Sequence, residues 1–143
     1  MKNIIIDTNV LIFYFEGDDA LGPELSMVFQ AIKDGRLKAS TSALVLTELL
    51  EEPITHQESL RDNQYSNLDQ EPLQIEFLPL DKKTALKAQQ IRQQYHFKTP
   101  DAVLLATAVN QKVDYLLTND HRLDDFQEIK IKTLQEVELE SND

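Results

Sequence analysis

Two short, wholly apolar runs limit the folds open to this chain more than any other feature. Ile4-Ile5-Ile6 passes directly into Asp7-Thr8-Asn9, and Tyr115-Leu116-Leu117 into Thr118-Asn119-Asp120. A run of this length, ended by residues that favour turns, reads as a buried strand. Helical periodicity fills the intervals. Val10 to Phe15 is apolar and starts a short helix, and 17–22 reads as a loop. After Pro23, the residues Leu25, Val28, Phe29 and Ile32 recur at helical spacing until Gly35 stops them. Leu37 to Thr41 reads as a strand, and Ser42 as the cap of a helix running to about Leu50, before Pro53. Gln74 to Leu78 alternates like a strand. Asp81 is placed to cap a helix with Ala85, Ala88, Ile91 and Tyr95 on one face. Thr99 is placed to cap another, with Pro100 at its first position. Val113 to Thr118 is a strand, Leu123 to Phe126 a turn and Ile129 to Thr133 a last strand. The alternation predicts an α/β, three-layer sandwich around a mainly parallel sheet of four to five strands. The polar stretch from Glu51 to Gln70 fits either a helix around 59–68 or a loop.

With 143 residues there is enough chain for one domain with a real core, here expected over 1–137, followed by a frayed acidic tail over 138–143. No apolar run is long enough to cross a bilayer, and the N-terminus does not read as a signal peptide. The chain has no cysteine, which excludes disulfides and thiolate metal sites and fits a cytoplasmic protein. Its net charge is −11, from 25 acidic against 14 basic side chains. A chain this acidic does not hold nucleic acid by bulk electrostatics. Such a substrate needs a local basic patch, a bound metal or a second subunit.

Four acids stand at element ends or on one helix face: Asp7, Glu48, Asp101 and Asp120. In an open α/β sheet, sites form beyond the carboxyl ends of the strands. Asp7 and Asp120 follow two strands, Asp101 opens a helix, and Glu48 borders an apolar helix face. Four carboxylates gathered there repel one another by about 4 kcal/mol per close pair at an effective dielectric near 20. A divalent cation offsets that, and ligation by oxygen alone suits Mg²⁺ or Mn²⁺. Such ions activate a water and stabilise charge on a phosphodiester under attack. Each acid alone has an ordinary explanation as well. Asp7 and Asp120 suit turns, Asp101 suits the positive end of a helix, and Glu48 a half-exposed position. Only their joint mapping to one edge favours a metal site.

These residues resemble those of a known family. Ile5-Ile6-Asp7-Thr8-Asn9-Val10-Leu11-Ile12 resembles the opening of PIN domains. Glu48 in Ser42-Ala43-Leu44-Val45-Leu46-Thr47-Glu48 is similar to their second acid. Asp101 in Thr99-Pro100-Asp101-Ala102-Val103-Leu104-Leu105-Ala106 is similar to the third, and Thr118-Asn119-Asp120 to the fourth. The resemblance covers nearly the whole chain and is strongest to the VapC toxins. It implies a PIN-like fold and a Mg²⁺- or Mn²⁺-dependent endoribonuclease acting on RNA, with an antitoxin protein as partner and a homodimeric form. It further implies that Asp7, Glu48, Asp101 and Asp120 are the catalytic and metal-holding quartet. Thr8, Asn9, Thr118 and Asn119 would support them by hydrogen bonds. The chain departs from that pattern in its acidity, and in 51–70, which carries no signature of the family.

Lys98 and Arg122 flank the proposed site, as phosphate contacts or as surface cations offsetting their neighbours. His121 is next to Asp120 but reads as an exposed turn residue, and Asp124 is near enough to be an extra ligand. Phe13, Tyr14 and Phe15 suit either base stacking or packing on the sheet. Two rival functions are a PIN-fold protein-binding module with little nuclease activity and a metal-dependent phosphatase. The second acid that phosphatase sites often carry two residues after the first is here Asn9.

Overall fold

In a computed structural model, residues 1–16, 22–49 and 66–137 are described. Five strands form one sheet: β1 (Lys2–Ile6), β2 (Leu37–Ser42), β3 (Glu76–Leu78), β4 (Tyr115–Leu117) and β5 (Ile131–Lys132). Their order is β3-β2-β1-β4-β5, and every neighbouring pair is parallel. The helices are α1 (Thr8–Glu16), α2 (Gly22–Lys33), α3 (Val45–Leu49), α4 (Lys82–Tyr95) and α5 (Thr99–Gln111). Single 3-10 turns cover His121–Leu123 and Leu134–Glu136.

The three layers follow from side-chain alternation along the strands. Ile4 and Ile6 of β1 and Tyr115 and Leu117 of β4 pack with Val10 and Leu11 of α1 and Val28 and Phe29 of α2. Ile5 and Leu116 point the other way, onto Ala88 and Ile91 of α4 and Ala102 and Leu105 of α5. All three isoleucines of β1 are 0% exposed. Burial on both faces is why the run is uniformly apolar and does not alternate.

The chain leaves β1 through α1 and α2 to reach β2, and comes back from β3 through α4 and α5 to reach β4. These two crossovers lie on opposite faces, so strand order reverses between β1 and β4. A reversal of this kind leaves a crevice at the carboxyl ends of the two strands, where sites in such folds are built.

Three local expectations need correction. Ser42 does not cap a helix. It closes β2 opposite Leu78, and its hydroxyl accepts the Leu44 amide at 3.2 Å, so α3 begins only at Val45. Strand pairing outcompetes capping there, and Glu48 lies in the first turn of α3 rather than two turns in. Thr99 lies inside α5, whose N-cap is Lys98 without a side-chain capping bond. On α4 the buried stripe is Thr84, Ala88 and Ile91, with Tyr95 half-buried and Ala85 exposed. Asp81 caps α4 as expected, accepting the Thr84 amide at 2.9 Å. β3, β4 and β5 are shorter than their sequence-based limits, because ladder pairing stops where a partner strand ends, whereas β1 begins at Lys2 and β2 extends one residue further, to Ser42. Most of the uncertain 51–70 stretch and the tail at 138–143 lie outside the described residues. Within the described part, Leu68 is buried and its carbonyl accepts the Ile75 amide at 2.8 Å.

Helix α5 ends on Lys112 with φ 53° and ψ 43°, the left-handed region that disfavours a residue with a Cβ. Lys112→Gly is expected to raise stability by about 1 kcal/mol, read from the midpoint of urea denaturation. An unchanged or lower midpoint would contradict this account of the cap.

Candidate metal centre

Asp7 is the first residue beyond β1. Its amide donates to the Leu117 carbonyl at 2.9 Å, holding it in line with β4, and its own carbonyl accepts the Val10 amide at 3.2 Å as α1 begins. The residue is 8% exposed. Its Oδ1 accepts the Thr8 amide at 2.7 Å, and its Oδ2 accepts the Thr118 hydroxyl at 2.7 Å and the Asn9 side-chain amide at 3.3 Å. Buried carboxylates need such donors, because burial without them costs several kcal/mol.

Thr118 joins the two strand ends. While donating to Asp7, its Oγ1 accepts the Asp120 amide at 3.0 Å and the Asn9 side-chain amide at 3.3 Å. Asn119 accepts the Leu134 amide on Oδ1 at 3.2 Å, and its own amide donates to Asn9 Oδ1 at 3.3 Å. The turn after β4 is therefore tied to the start of α1 on one side and to the turn after β5 on the other. Glu48 reaches the same network from α3, accepting the Thr8 hydroxyl at 3.4 Å.

Asp101, in the first turn of α5, and Asp120, after β4, complete the crevice. Asp7 is pushed above the ordinary carboxyl range, first by burial and then by the charges of Asp101 and Asp120; the bonds from Thr118 and Thr8 oppose the shift. Asp101 is also raised, chiefly by burial, with Arg122 and Lys98 opposing. Asp120 moves the other way, held low by the Arg122 side chain. Arg122 Nε lies 3.0 and 2.9 Å from the two Asp120 oxygens, Nη2 also bonds Oδ2, and Nη2 stands 3.8 Å from Asp101 Oδ2.

The acids singled out from the sequence thus come together at the β1–β4 crevice. Asp7, Asp101 and Asp120 feel one another's charge, and Glu48 is linked to them through Thr8. Lys98 lies close enough to Asp101 to lower its pKa. His121 turns away and contacts Asp124 at 3.0 Å, both side chains well exposed. Phe13, Tyr14 and Phe15 pack against the core on the α1–α2 side, and Tyr14 stacks on Phe29 with ring centroids 3.8 Å apart. Thr118 and Arg122 were both named from the sequence, as hydrogen-bonding support and as a flanking cation. Two details of their contacts were not: that the Thr118 hydroxyl meets both Asp7 and the Asp120 amide, and that Arg122 bonds Asp120 directly. The Asp-x-Arg spacing at a strand end was the available signal for the second.

The donor set suits Mg²⁺ or Mn²⁺. It is made of carboxylate oxygens, and it holds a buried carboxyl burdened by two like charges, which a dication relieves. Among the described residues, no three His, Cys, Asp or Glu side chains stand close enough to hold an ion as they are. Asp120 and Asp101 are turned to the guanidinium of Arg122.

No curated protein matches the chain. Among solved structures, a chain of VapBC2 from Rickettsia felis, bound to a DNA fragment from their promoter, superposes with a TM-score of 0.71 at 11% identity, over 92% of this chain and 98% of that one. A chain of the DNA-bound VapBC from Salmonella typhimurium gives 0.66 at 18%, over 94% and 99%. One from a toxin–antitoxin complex of Klebsiella pneumoniae gives 0.65 at 20%, also over 94% and 99%. At these identities the likeness is one of fold. The match to the PIN domain runs over residues 4–129, most of the chain, and the chain belongs to the PIN domain family.

Proposed function

We propose that this protein is a divalent-metal-dependent endoribonuclease, the toxin member of a toxin–antitoxin pair. The observation that carries this reading is a buried carboxylate, Asp7, with Asp101 and Asp120 as charged neighbours at the point where strand order reverses. Membership of the PIN family and the fold shared with chains of toxin–antitoxin complexes support it.

Asp7, Asp101 and Asp120 would hold Mg²⁺ or Mn²⁺, with Glu48 as a further ligand or as the group orienting the attacking water. The ion, when bound, supplies a water of lowered pKa and neutralises charge on the phosphodiester. Thr118 and Thr8 favour the charged form of Asp7 against its burial, and together with Asn9 they aim the carboxylate by donating to its two oxygens. Asn119 fixes the turn that carries Asp120. Lys98 and Arg122 flank the crevice as phosphate contacts. In an otherwise acidic chain they supply the local positive charge that an RNA backbone requires. Cytoplasmic location, an antitoxin partner and a homodimeric state belong to the same proposal. Among the described residues, no helix is long and apolar enough to cross a membrane.

Single-stranded RNA incubated with the pure protein is expected to be cut in Mg²⁺ or Mn²⁺ and to stay intact in EDTA. RNA left whole by folded protein in Mn²⁺, across a range of sequences, would refute the nuclease reading. The net charge of −11 favours one alternative, a binding module that acts through a protein partner. A stable complex with a co-expressed partner, in the absence of Mn²⁺ binding, would support it.

A further inference from the structure

We propose that Arg122 is a built-in counter-cation that closes the acidic crevice against divalent metal, and that its side chain must turn outward before the centre is loaded. The proposal rests on the metal-centre reading above and concerns how that site is regulated.

The geometry is specific. Both oxygens of Asp120 are taken by one residue. Oδ1 accepts the Arg122 amide and Nε, each at 3.0 Å, and Oδ2 accepts Nε at 2.9 Å and also Nη2. The same Nη2 faces Asp101 Oδ2 at 3.8 Å, so one guanidinium spans carboxylates from the end of β4 and the start of α5. The Asp7 charge acts on Arg122 as well. Arg122 thus stands against two acids, Asp120 and Asp101, and within reach of the charge of a third, Asp7, and it satisfies part of the charge a metal ion would satisfy there. A cation and this guanidinium compete for the same Asp120 lone pairs.

The lock is built to open. The turn His121–Leu123 is pinned by Leu123, which is 0% exposed, and by the amide bond to Asp120 Oδ1. The backbone of Arg122 is therefore held while its long side chain, 64% exposed, borders solvent. Swinging outward gives up the contacts with Asp120 and Asp101 and moves a side chain that is already mostly in solvent. The side chain would remain at the mouth of the crevice, where its planar fork matches a phosphate. An RNA phosphate and a metal ion would then favour each other's binding, since each draws on a group released by the other.

An exposed ion pair with forked geometry lies at the upper end of what surface pairs contribute, which sets the scale of the effect at roughly tenfold in metal affinity. The experiment is calorimetric titration of Mn²⁺ into wild type, Arg122→Gln and Lys82→Gln, the last a control for the lost positive charge at an exposed position on α4. Arg122→Gln is expected to bind Mn²⁺ about tenfold more tightly than wild type, with Lys82→Gln within about twofold. Melting in EDTA is expected to show Arg122→Gln less stable than wild type, its three carboxylates no longer compensated, with a larger rise in Tm on adding Mn²⁺. Equal or weaker Mn²⁺ binding by Arg122→Gln, beside clear binding by wild type, overturns the lock and leaves the metal centre standing. Equal tightening by the Lys82 control also overturns it, as an effect of overall charge. No binding by any of the three proteins overturns the metal centre and the lock together.

Discussion

Asp7→Asn is expected to reduce metal-dependent RNA cleavage by more than about 100-fold, exceeding the ~10–100-fold typical of residues that only support metal ligands. The same substitution is expected to raise the melting temperature of the metal-free protein at neutral pH. The second effect follows from linkage. Burial and the neighbouring charges of Asp101 and Asp120 raise the folded-state pKa of Asp7 above 3.8. The folded chain therefore holds that proton more tightly than the unfolded chain does. Stability is fully present below pH 3.8 and is lost as pH rises through the raised folded value. At neutral pH the ionised Asp7 is a cost, which the amide of Asn removes. The advantage of Asn should shrink as pH falls toward 3.8, where the wild-type carboxyl is itself neutral. Thermal melts in EDTA at several pH values, paired with cleavage assays in Mn²⁺, measure both parts. Cleavage at the wild-type rate would remove Asp7 from the chemistry. A lower Tm at neutral pH, with no dependence on pH, would show that its ionisation carries no strain.

Thr118→Val is expected to have the next largest consequence. Valine keeps the shape of threonine but removes the hydroxyl that donates to Asp7 at 2.7 Å and accepts the Asp120 amide at 3.0 Å. Thr118 is 1% exposed, so water does not readily replace the lost partner. Leaving a buried donor or acceptor unsatisfied costs about 1–3 kcal/mol, and loss of a residue supporting a metal ligand weakens metal binding about 10–100-fold. The Thr118 bond also lowers the Asp7 pKa, so its loss raises that pKa further. The acid side of the pH–activity profile is therefore expected to move to higher pH. Cleavage rates against pH, with Mn²⁺ titrations, test this; a pH profile and Mn²⁺ affinity equal to wild type would mean that the hydroxyl does not hold Asp7 in its working state.

Much of the architecture could be read locally. Ile4-Ile5-Ile6 announced a strand because a residue buried on either face must be apolar, whatever lies across from it. Leu25, Val28, Phe29 and Ile32 announced α2 because helical spacing brings them to one side. Asp7 and Asp120 were legible because strand ends in a parallel sheet share one edge. Where a local signal met a competing long-range contact it failed: Ser42 has the chemistry of a cap, but its pairing with Leu78 keeps it in β2.

By itself, then, the amino-acid order determined the succession of strands and helices, the acids at their ends and the family to which the chain belongs. These depend on interactions among residues a few positions apart, which composition and spacing record. The tertiary structure alone decided the strand order β3-β2-β1-β4-β5, the bond between Thr118 and Asp7 across 111 positions, and the bridge from Arg122 to Asp101 as well as Asp120. Such contacts are set by how the layers pack. A guanidinium two residues from one carboxylate carries no mark of the second until a helix start is brought beside it.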